Sequence, residues 1–354
     1  MARPSNEPEA AYDAVLFVSF GGPEGPDDVM PFLENVLRGR NVPRERMLEV
    51  AEHYQHFDGV SPINGQNRAL LEALRAELQA HGPDIPIYWG NRNWHPMLTD
   101  TLQEMSAAGV RRAVAFVTSG FSCYSGCRQY RENIAAACES LGEAAPVVDK
   151  IRVFFNHPGF VYPMARNLLA ALERFPETVP RSDVAVLFTA HSIPLSMAET
   201  SRYVTQLKEA SRLVAERAGV SNWQLVYQSR SGPPTQPWLD PDVCDAIRER
   251  VEAGCRNVVL VPIGFISDHM EVLYDLDEEA ATLCQELGVT MHRAATVGTD
   301  PEFVSMIREL IAERVWNLPE RAAIGDLPAS HDVCPLDCCA APPRRPAAAR
   351  PTPA

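Results

Sequence analysis

The feature that most constrains the fold is a regular alternation of short apolar runs with longer helical stretches. Eight runs rich in β-branched and aromatic residues recur along the chain, and segments with helical spacing of apolar positions separate them. This alternation predicts parallel sheets with helices on both faces. The predicted strands are 13–19, 86–90, 112–118, 148–154, 184–190, 223–228, 257–263 and 290–296, and the predicted helices are 27–37, 64–80, 97–108, 128–141, 160–174, 199–218, 241–253, 270–286 and 301–315.

The predicted strands form two groups of four, one on each side of a break near residues 175–183. We therefore predict an α/β protein with two Rossmann-like domains, residues 12–180 and 181–317, each built on a parallel sheet with right-handed crossovers. Residues 1–11 are predicted to be a flexible N-terminus. In the remainder, residues 318–354, Pro, Ala and Arg dominate, and this composition predicts a disordered tail.

Charge and hydropathy exclude several classes of partner. The chain has 32 basic and 46 acidic residues, a net charge of −14, and its nearest approach to a basic cluster is Arg38 with Arg40. A nucleic acid or an anionic membrane would repel such a protein. No apolar run approaches the roughly 18 residues of a membrane span, and no signal peptide is recognisable. We therefore expect a cytoplasmic protein without a transmembrane segment, and a monomer.

Candidate functional side chains follow two of the predicted strands in the second half. In open parallel sheets, ligands bind beyond the carboxyl ends of the strands. His191 comes directly after one strand, and Glu271, Asp275 and Glu279 follow another at intervals of four, which places them on one helical face. Each feature also has a structural interpretation, because a lone histidine can cap a helix and an acidic stripe can simply be solvated.

The pairing of an imidazole with carboxylates favours metal or proton chemistry. Divalent cations accept both kinds of ligand. A neutral histidine also accepts protons near neutral pH, since its unperturbed pKa is about 6.5. The glycine-rich SFGGPEGP segment after the first strand lacks the residues of a P-loop or of a dinucleotide-binding loop, so a phosphate site there is disfavoured.

Seven segments together resemble one known family. They are SFGGP, HYQHFDGVSPINGQN, GNRNWHP, YSGCRQY, LFTAHSIP, YQSRSGPPTQPWL and PIGFISDHMEVLYDLD, and they occur in the order found in ferrochelatases, over residues 12–317. The chain looks most like the bacterial branch that acts on coproporphyrin III. The resemblance implies an enzyme of haem biosynthesis that inserts Fe(II) into coproporphyrin III to form coprohaem, with downstream haem-pathway enzymes as further partners. Composition does not distinguish coproporphyrin from protoporphyrin.

The resemblance also implies roles for individual residues. His191 and Glu271 would flank the macrocycle, binding the metal and removing protons, and Asp275 and Glu279 would relay metal or protons. Phe20 stands where some relatives carry a tyrosine that approaches the iron, so here we expect only a packing wall. The residues expected to contact the porphyrin are Ser61, Tyr130, Tyr54, Arg38 and Arg40.

The nine cysteines divide into two groups. Cys138, Cys244, Cys255 and Cys284 lie singly in helical or strand patterns and are predicted to be small buried hydrophobic residues. By contrast, the tail contains three thiols within six residues, a spacing that predicts ligation of zinc or of an iron–sulfur cluster. An unligated tail is the remaining alternative. The tail cysteines are Cys334, Cys338 and Cys339.

The resemblance to ferrochelatases favours a 2Fe-2S cluster with the three tail cysteines and one internal cysteine as ligands. Cys127 is the first candidate for the fourth ligand, followed by Cys123 and Cys138. Because Cys338 and Cys339 are adjacent, a spectator role for one of them stays an alternative.

Two other functions fit parts of the pattern. A non-catalytic tetrapyrrole carrier or sensor would keep the binding pocket but would need neither His191 nor the three spaced carboxylates of Glu271, Asp275 and Glu279. A cobalt or nickel chelatase for sirohydrochlorin would use extra histidines at the metal, and His269 is the only additional histidine close to Glu271 in the sequence.

Overall fold

The computed structural model describes residues 11–39, 42–233 and 235–341 and contains two four-stranded parallel sheets. The first sheet has the order β2-β1-β3-β4 and the second has the order β6-β5-β7-β8, so the predicted fold class is confirmed. The strands are β1 (Ala14–Ser19), β2 (Ile87–Asn91), β3 (Arg112–Val117), β4 (Val147–Lys150), β5 (Val184–His191), β6 (Trp223–Gln228), β7 (Asn257–Val261) and β8 (Thr290–Arg293).

Helices cover both sheets, and each predicted helix has a counterpart. The helices are α1 (Val29–Leu37), α2 (Arg44–His56), α3 (Ile63–His81), α4 (Leu98–Ala107), α5 (Gln129–Leu141), α6 (Pro158–Leu172), α7 (Leu195–Ala198), α8 (Tyr203–Ala218), α9 (Val243–Glu252), α10 (Met270–Val272), α11 (Ala281–Glu286) and α12 (Pro301–Val315). Short 3₁₀ turns lie at Pro26–Asp28, Gly142–Ala144 and Arg181–Asp183, and π-helical segments lie at Tyr124–Arg128 and Leu273–Ala280.

Helix α2 is absent from the sequence predictions. Its sequence, RERMLEVAEHYQH, is dominated by polar residues, and only Ala51 is buried among them. Such a helix lacks a continuous apolar stripe, which is the signal on which sequence-based detection depends. The helix packs on α1 and carries Tyr54 towards the candidate site.

Phenylalanine rings connect the first sheet to helices α6 and α12. Phe17 of β1 and Phe116 of β3 lie 5.7 Å apart, and Phe116 stacks on Phe154 at 5.6 Å. Phe154 in turn contacts Phe160 of α6 at 5.9 Å and Phe303 of α12 at 6.0 Å. Each such pair adds about 0.5–1.5 kcal/mol beyond the burial of its area. The rings therefore fix both helices at the centre of the molecule.

Helices α6 and α12 exchange partners between the two halves of the chain. Helix α6 follows the first sheet in sequence but packs on α8 and on strands β7 and β8. Helix α12 follows the second sheet but packs on α3 and β3. The two halves are therefore interlocked, and the domain boundary at residues 180/181 stays a prediction.

The tail over residues 318–341 lies against the body, so the expectation of disorder is wrong for this part. The Asn156 amide donates to the carbonyl of Leu327 at 2.7 Å, and Arg128 donates to the carbonyl of Leu336 at 3.1 Å. Composition cannot reveal such contacts, because side chains of the body provide them. Residues 342–354, together with 1–10 of the predicted flexible N-terminus, lie outside the described part of the chain.

Among the described residues, no helix combines the length and the apolar character that crossing a bilayer requires.

Candidate active site

His191 and Glu271 meet at the carboxyl end of the second sheet. His191 is the last residue of β5, a central strand that is buried up to Ala190. Glu271 lies in α10, which follows the loop after β7. Nε2 of His191 lies 3.4 Å from Oε1 of Glu271. The structure thus brings together the two side chains that the sequence assigns to one site.

Backbone contacts fix the His191 ring. Its Nδ1 lies within hydrogen-bonding distance of the Ser192 carbonyl, so the neutral ring that donates there leaves Nε2 free to face Glu271. The hydroxyl of Tyr203 donates to the backbone carbonyl of His191 at 3.0 Å. The side chains of His191 and Glu271 are 31% and 46% exposed, so the pair is accessible from the cleft.

The two groups form an ion pair at neutral pH. Burial lowers the pKa of His191, but the Glu271 carboxylate outweighs this effect and raises the pKa to about 9. Burial likewise raises the pKa of Glu271, and the His191 imidazolium overrides it, lowering the pKa to about 2. His191 must therefore lose its proton before its Nε2 can bind a metal ion or accept a proton.

The separation of the pair bears on the placement of a macrocycle. The resemblance to ferrochelatases implies that His191 and Glu271 flank the ring. A flat ring between them needs about 7 Å, because each face requires a contact distance of about 3.5 Å. The observed separation is 3.4 Å, so a ring does not fit between the two side chains at this distance. Their arrangement around a bound ring stays a prediction.

Glu271, Asp275 and Glu279 form an acidic row along the continuous helical segment from Met270 to Glu286. The π-helical segment Leu273–Ala280 carries Asp275 and Glu279, and the charges of Glu271 and Glu279 both act on Asp275. Such π-helical segments occur often at functional sites.

Asp275 is held by two residues at the end of β6. The Ser229 hydroxyl donates to its Oδ2, and the Gln228 amide donates to the same oxygen at 3.3 Å. Burial raises the pKa of Asp275, Ser229 opposes this, and the charges of Glu271 and Glu279 raise it further, to about 7. Asp275 can therefore exchange a proton near neutral pH. Glu279 lies at the exposed end of the row, where burial and Asp242 raise its pKa.

Tyr54, Ser61 and Tyr130, the predicted porphyrin contacts in the first half of the chain, occupy different environments. Tyr54 packs on Phe32, and burial followed by the Glu271 charge raises its pKa, so its hydroxyl stays neutral. Ser61 is buried against the loop after β1, where a Cβ on Gly22 would approach the Ser61 Cβ to 2.7 Å. Tyr130 is also buried, and burial raises its pKa.

The first-strand loop forms an aromatic wall, as predicted for Phe20. The Phe20 ring lies 6.2 Å from Phe32, and the guanidinium of Arg92 lies over both Phe20 and Tyr130, at 5.7 and 4.4 Å from the ring centres. Arg38 is exposed just beyond the end of α1. Arg40 lies outside the described residues.

A second cluster of reactive side chains lies where the tail meets the body. The thiols of Cys334 and Cys339 are the main cause of a lowered pKa at Cys127, and Cys127, Cys334, Cys338 and His331 line one small cavity. The Sγ atoms of Cys338 and Cys339 lie 3.7 Å apart, and Nε2 of His331 lies 3.6 Å from Sγ of Cys338. The structure thus brings the three tail cysteines to Cys127, the first candidate for an internal partner.

The other internal candidates do not reach the tail thiols. Cys123 caps the π-helical segment before α5, where its sulfur accepts from the Gly126 amide at 3.1 Å. Cys138 lies within reach of the Pro146 carbonyl. Of the four cysteines predicted to be buried singly, Cys284 is 1% exposed, whereas Cys138, Cys244 and Cys255 are half-buried.

Several residues around these sites were not singled out from the sequence. Gln228 is the last residue of β6 and Ser229 follows it, so the strand-end rule that identified His191 could have identified them as well. Lys150 ends β4 and lowers the pKa of the Cys127 thiol, after the larger effects of the tail cysteines. His331 carried no recognisable signal, because its contact with Cys338 depends on the path of an irregular tail.

His269 lies beside the ion pair, but its Nδ1 is engaged in a hydrogen bond with the backbone. Its Nδ1 accepts from the Glu271 amide at 3.2 Å and thereby caps α10. Burial lowers its pKa, while Glu271 acts in the opposite direction. This capping role gives the single extra histidine a structural function.

Comparison with known proteins identifies the family. The ferrochelatase family profile matches residues 12–315. A ferrochelatase of Rhodopirellula baltica is 61% identical over 336 residues, which cover 95% of each chain. A coproporphyrin III ferrochelatase of Streptomyces coelicolor is 54% identical over 362 residues and covers 96% of each chain.

Solved structures share the fold at low sequence identity. SirB from Bacillus subtilis with Fe³⁺ has a TM-score of 0.53 and 13% identity, covering 85% of this chain and 96% of that chain. The cobalt complex of the sirohydrochlorin chelatase SirB from the subspecies spizizenii has a TM-score of 0.50 and 12% identity. These likenesses show the bilobal architecture alone, whereas the sequence matches extend over both halves. The chain therefore belongs to the ferrochelatase family.

Proposed function

We propose that this ferrochelatase inserts Fe(II) into coproporphyrin III, and that His191 and Glu271 carry out the insertion from one face of the ring. The observation that carries the assignment of these residues is the 3.4 Å contact between Nε2 of His191 and Oε1 of Glu271 at the end of the second sheet. The choice of coproporphyrin is supported by the relatives from Streptomyces coelicolor and Frankia alni, both named coproporphyrin III ferrochelatases.

Metal insertion requires two tasks that this pair can perform. The incoming Fe(II) must exchange water for protein ligands, and imidazole nitrogen and carboxylate oxygen are both suitable. The porphyrin must also lose two N–H protons, which need a nearby acceptor. Arrival of Fe(II) favours loss of the His191 proton, because a metal ion and a proton compete for the same Nε2. The neutral imidazole can then transfer the metal and receive a pyrrole proton.

Asp275 and Glu279 provide a route between this pair and solvent. Asp275 has a pKa of about 7 and lies next to Glu271 in the row, so it can take up a proton released at the ring. Glu279, at the exposed end, can pass the proton on or receive the hydrated metal. Ser229 and Gln228 act as positioning residues, because their hydrogen bonds fix the orientation of the Asp275 carboxylate.

Residues of the first half are proposed to hold the macrocycle. Tyr54 and Phe20 provide apolar ring contact, and Ser61 and Tyr130 lie behind them near the loop after β1. Arg38 is a suitable partner for a propionate, because guanidinium binds carboxylate through two parallel hydrogen bonds. Arg40 is proposed for the same role from the sequence alone.

The choice of substrate can be tested by steady-state kinetics. Coproporphyrin III carries four propionates and protoporphyrin IX carries two, so additional carboxylate contacts are available to coproporphyrin. Two further charge-assisted hydrogen bonds correspond to about a tenfold or greater advantage in kcat/KM for coproporphyrin. A higher kcat/KM for protoporphyrin IX under the same conditions would contradict the proposal. Replacement of Arg38 in R38A should reduce the ratio of the two kcat/KM values, whereas R181A, at the opposite end of β5 from His191, should leave the ratio unchanged.

A non-catalytic tetrapyrrole carrier built on this fold is the alternative of a different class. Binding a porphyrin without turnover requires neither an ion pair that keeps His191 protonated nor the acidic row of Glu271, Asp275 and Glu279. An assay of Fe(II) or Zn(II) insertion separates the two, since a carrier would bind porphyrin without turnover. Sirohydrochlorin is disfavoured as a substrate because His269 serves as a helix cap.

We further propose that Cys127, Cys334, Cys338 and Cys339 hold a 2Fe-2S cluster. The donor set fits, because four thiols converge on one place and thiolates are the ligands such clusters take. The bound cluster would link the tail covalently to the π-helical turn that carries Cys127. It would have no redox role in the reaction itself, because insertion of Fe(II) needs no electron transfer. Zinc at the same thiols is the competing assignment.

A cytoplasmic location, a monomeric state and contacts with downstream haem-pathway enzymes stay predictions.

The cluster has a direct spectroscopic test. Protein purified anaerobically should be coloured and should contain iron and acid-labile sulfide. C334S should lose the visible absorbance, because Cys334 is one of the proposed ligands and lines the same small cavity as Cys127. C255S, which lies outside the cluster, is the matched control and should keep the absorbance. A colourless wild-type protein containing zinc would assign the site to zinc instead.

A further inference from the structure

The cysteine site contains one more donor than a 2Fe-2S cluster needs. The four thiols of Cys127, Cys334, Cys338 and Cys339 already supply two ligands for each of two irons. His331 adds a fifth donor, and the ligand atoms of His331, Cys334 and Cys338 all lie within 4.8 Å of one another. The contact of Nε2 with the Cys338 sulfur, at 3.6 Å, brings His331 closest to that cysteine.

The backbone on both sides of this contact is anchored to the body. Arg321 donates to the carboxylate of Asp332, the residue after His331, at 2.7 Å. Arg314 donates to the Asp332 carbonyl at 3.3 Å. On the other side, Arg128 donates to the carbonyl of Cys338 at 3.3 Å. The histidine and the cysteine are therefore held next to each other by separate sets of contacts.

Exposure distinguishes Cys338 from two of its neighbours. Cys127 and Cys339 are each 4% exposed, whereas Cys338 is half-buried and His331 is exposed. Oxidants and chelators attack the accessible thiol of a site first. Cys338 is thus a more vulnerable ligand than the two buried thiols, and the spare donor lies beside it.

We propose that His331 is a reserve ligand, able to replace the Cys338 thiolate on the iron that Cys338 holds. The inference rests on the proposed cluster. In the exchange, the iron–sulfur bond to Cys338 breaks and an iron–nitrogen bond to neutral His331 forms, while the released thiolate takes a proton from solvent. The oxidation states of both irons are unchanged. Imidazole is known to replace thiolate in one class of 2Fe-2S centre.

Anaerobically purified full-length variants test this exchange. The set is wild type, C338A, H331A, the double variant C338A/H331A and C138A, which removes a thiol away from the site. Alanine is used at position 338 because a serine oxygen could itself bind iron. The measurements are iron and acid-labile sulfide per chain, and the hyperfine coupling of ¹⁴N to the reduced cluster. Quenching of porphyrin fluorescence in every variant reports whether the body is folded.

We expect C338A to keep most of its iron and sulfide and to gain a ¹⁴N coupling that is absent from wild type. H331A and C138A should resemble wild type in content and spectrum. The double variant, left with three thiols, should fall about tenfold or more in cluster content. This pattern identifies His331 as the donor that retains the cluster when Cys338 is lost.

Two outcomes would overturn the reserve role while leaving the cluster itself intact. In one, C338A loses as much cluster as the double variant. In the other, C338A keeps the cluster without any nitrogen coupling. Wild-type protein that is folded but free of iron and sulfide would instead remove the cluster proposal, and the role of His331 with it.

Discussion

Replacement of His191 by alanine is expected to abolish metal insertion while leaving porphyrin binding measurable. The substitution removes the imidazole that faces Glu271 at 3.4 Å, and with it the proposed metal ligand and proton acceptor. Loss of a positioned acid–base group alone costs about 10²–10⁴-fold in rate. Because metal ligation is lost as well, we expect kcat to fall by at least about 10³-fold. The ring contacts proposed for Tyr54 and Phe20 are not affected by this substitution.

Initial rates of Fe(II) and Zn(II) insertion measure the loss, and quenching of porphyrin fluorescence measures binding. H81A is the matched control, since His81 lies exposed at the end of α3, and we expect it to insert metal at the wild-type rate. Substantial activity in the His191 variant would assign the chemistry to another residue. Loss of porphyrin binding together with activity would make His191 a binding residue instead.

Replacement of Glu271 by glutamine is expected to lower the pKa of His191 by about 2.5 pH units or more. The Glu271 charge is what raises that pKa to about 9 against the effect of burial. Glutamine keeps the shape of the side chain and removes its charge. The pKa should therefore fall towards the ordinary value of 6.5 or below it.

Titration of the His191 ring protons by NMR measures this shift directly. In wild type the ring should stay protonated through neutral pH and titrate near 9, whereas in E271Q it should titrate at or below about 6.5. E278Q removes a neighbouring glutamate that does not pair with His191 and should leave the titration unchanged. A wild-type pKa near 6.5 would show that the two side chains do not pair in solution.

The same ion pair makes a pH-dependent contribution to stability. The pKa of His191 is raised in the folded state, so its contribution is complete below the ordinary pKa of 6.5 and is lost as the pH rises through about 9. The pKa of Glu271 is lowered, so its contribution is complete above 4.5 and is lost as the pH falls through about 2. In E271Q both dependences should disappear from thermal unfolding curves measured across this range.

Local sequence was enough to predict the strands and most helices. Strands such as β5 and β7 are continuous apolar runs, because central strands of a parallel sheet are buried on both faces. Their carboxyl ends share one edge, so the strand-end rule identified His191 and pointed to the acidic row that begins at Glu271. Helix α2 was missed because it has little apolar surface, although it positions Tyr54.

Other features depend on residues far apart in the chain, and no local pattern contains them. The 3.4 Å contact joins His191, at the end of β5, to Glu271 in α10, about 80 residues later in the chain. The path of the tail depends on contacts with Asn156 and Arg128, so composition alone predicted disorder where the chain is held.

Apolar periodicity and short motifs are sufficient to predict the fold class, the family and the reactive side chains. The contacts between those side chains, such as His191 with Glu271, follow only from the folded chain. Tertiary structure shifted the pKa of His191 to about 9 and that of Asp275 to about 7, and it brought His331 to Cys338. The physical reason is that electrostatic and ligand interactions depend on distances of a few ångströms, which only the packed chain defines.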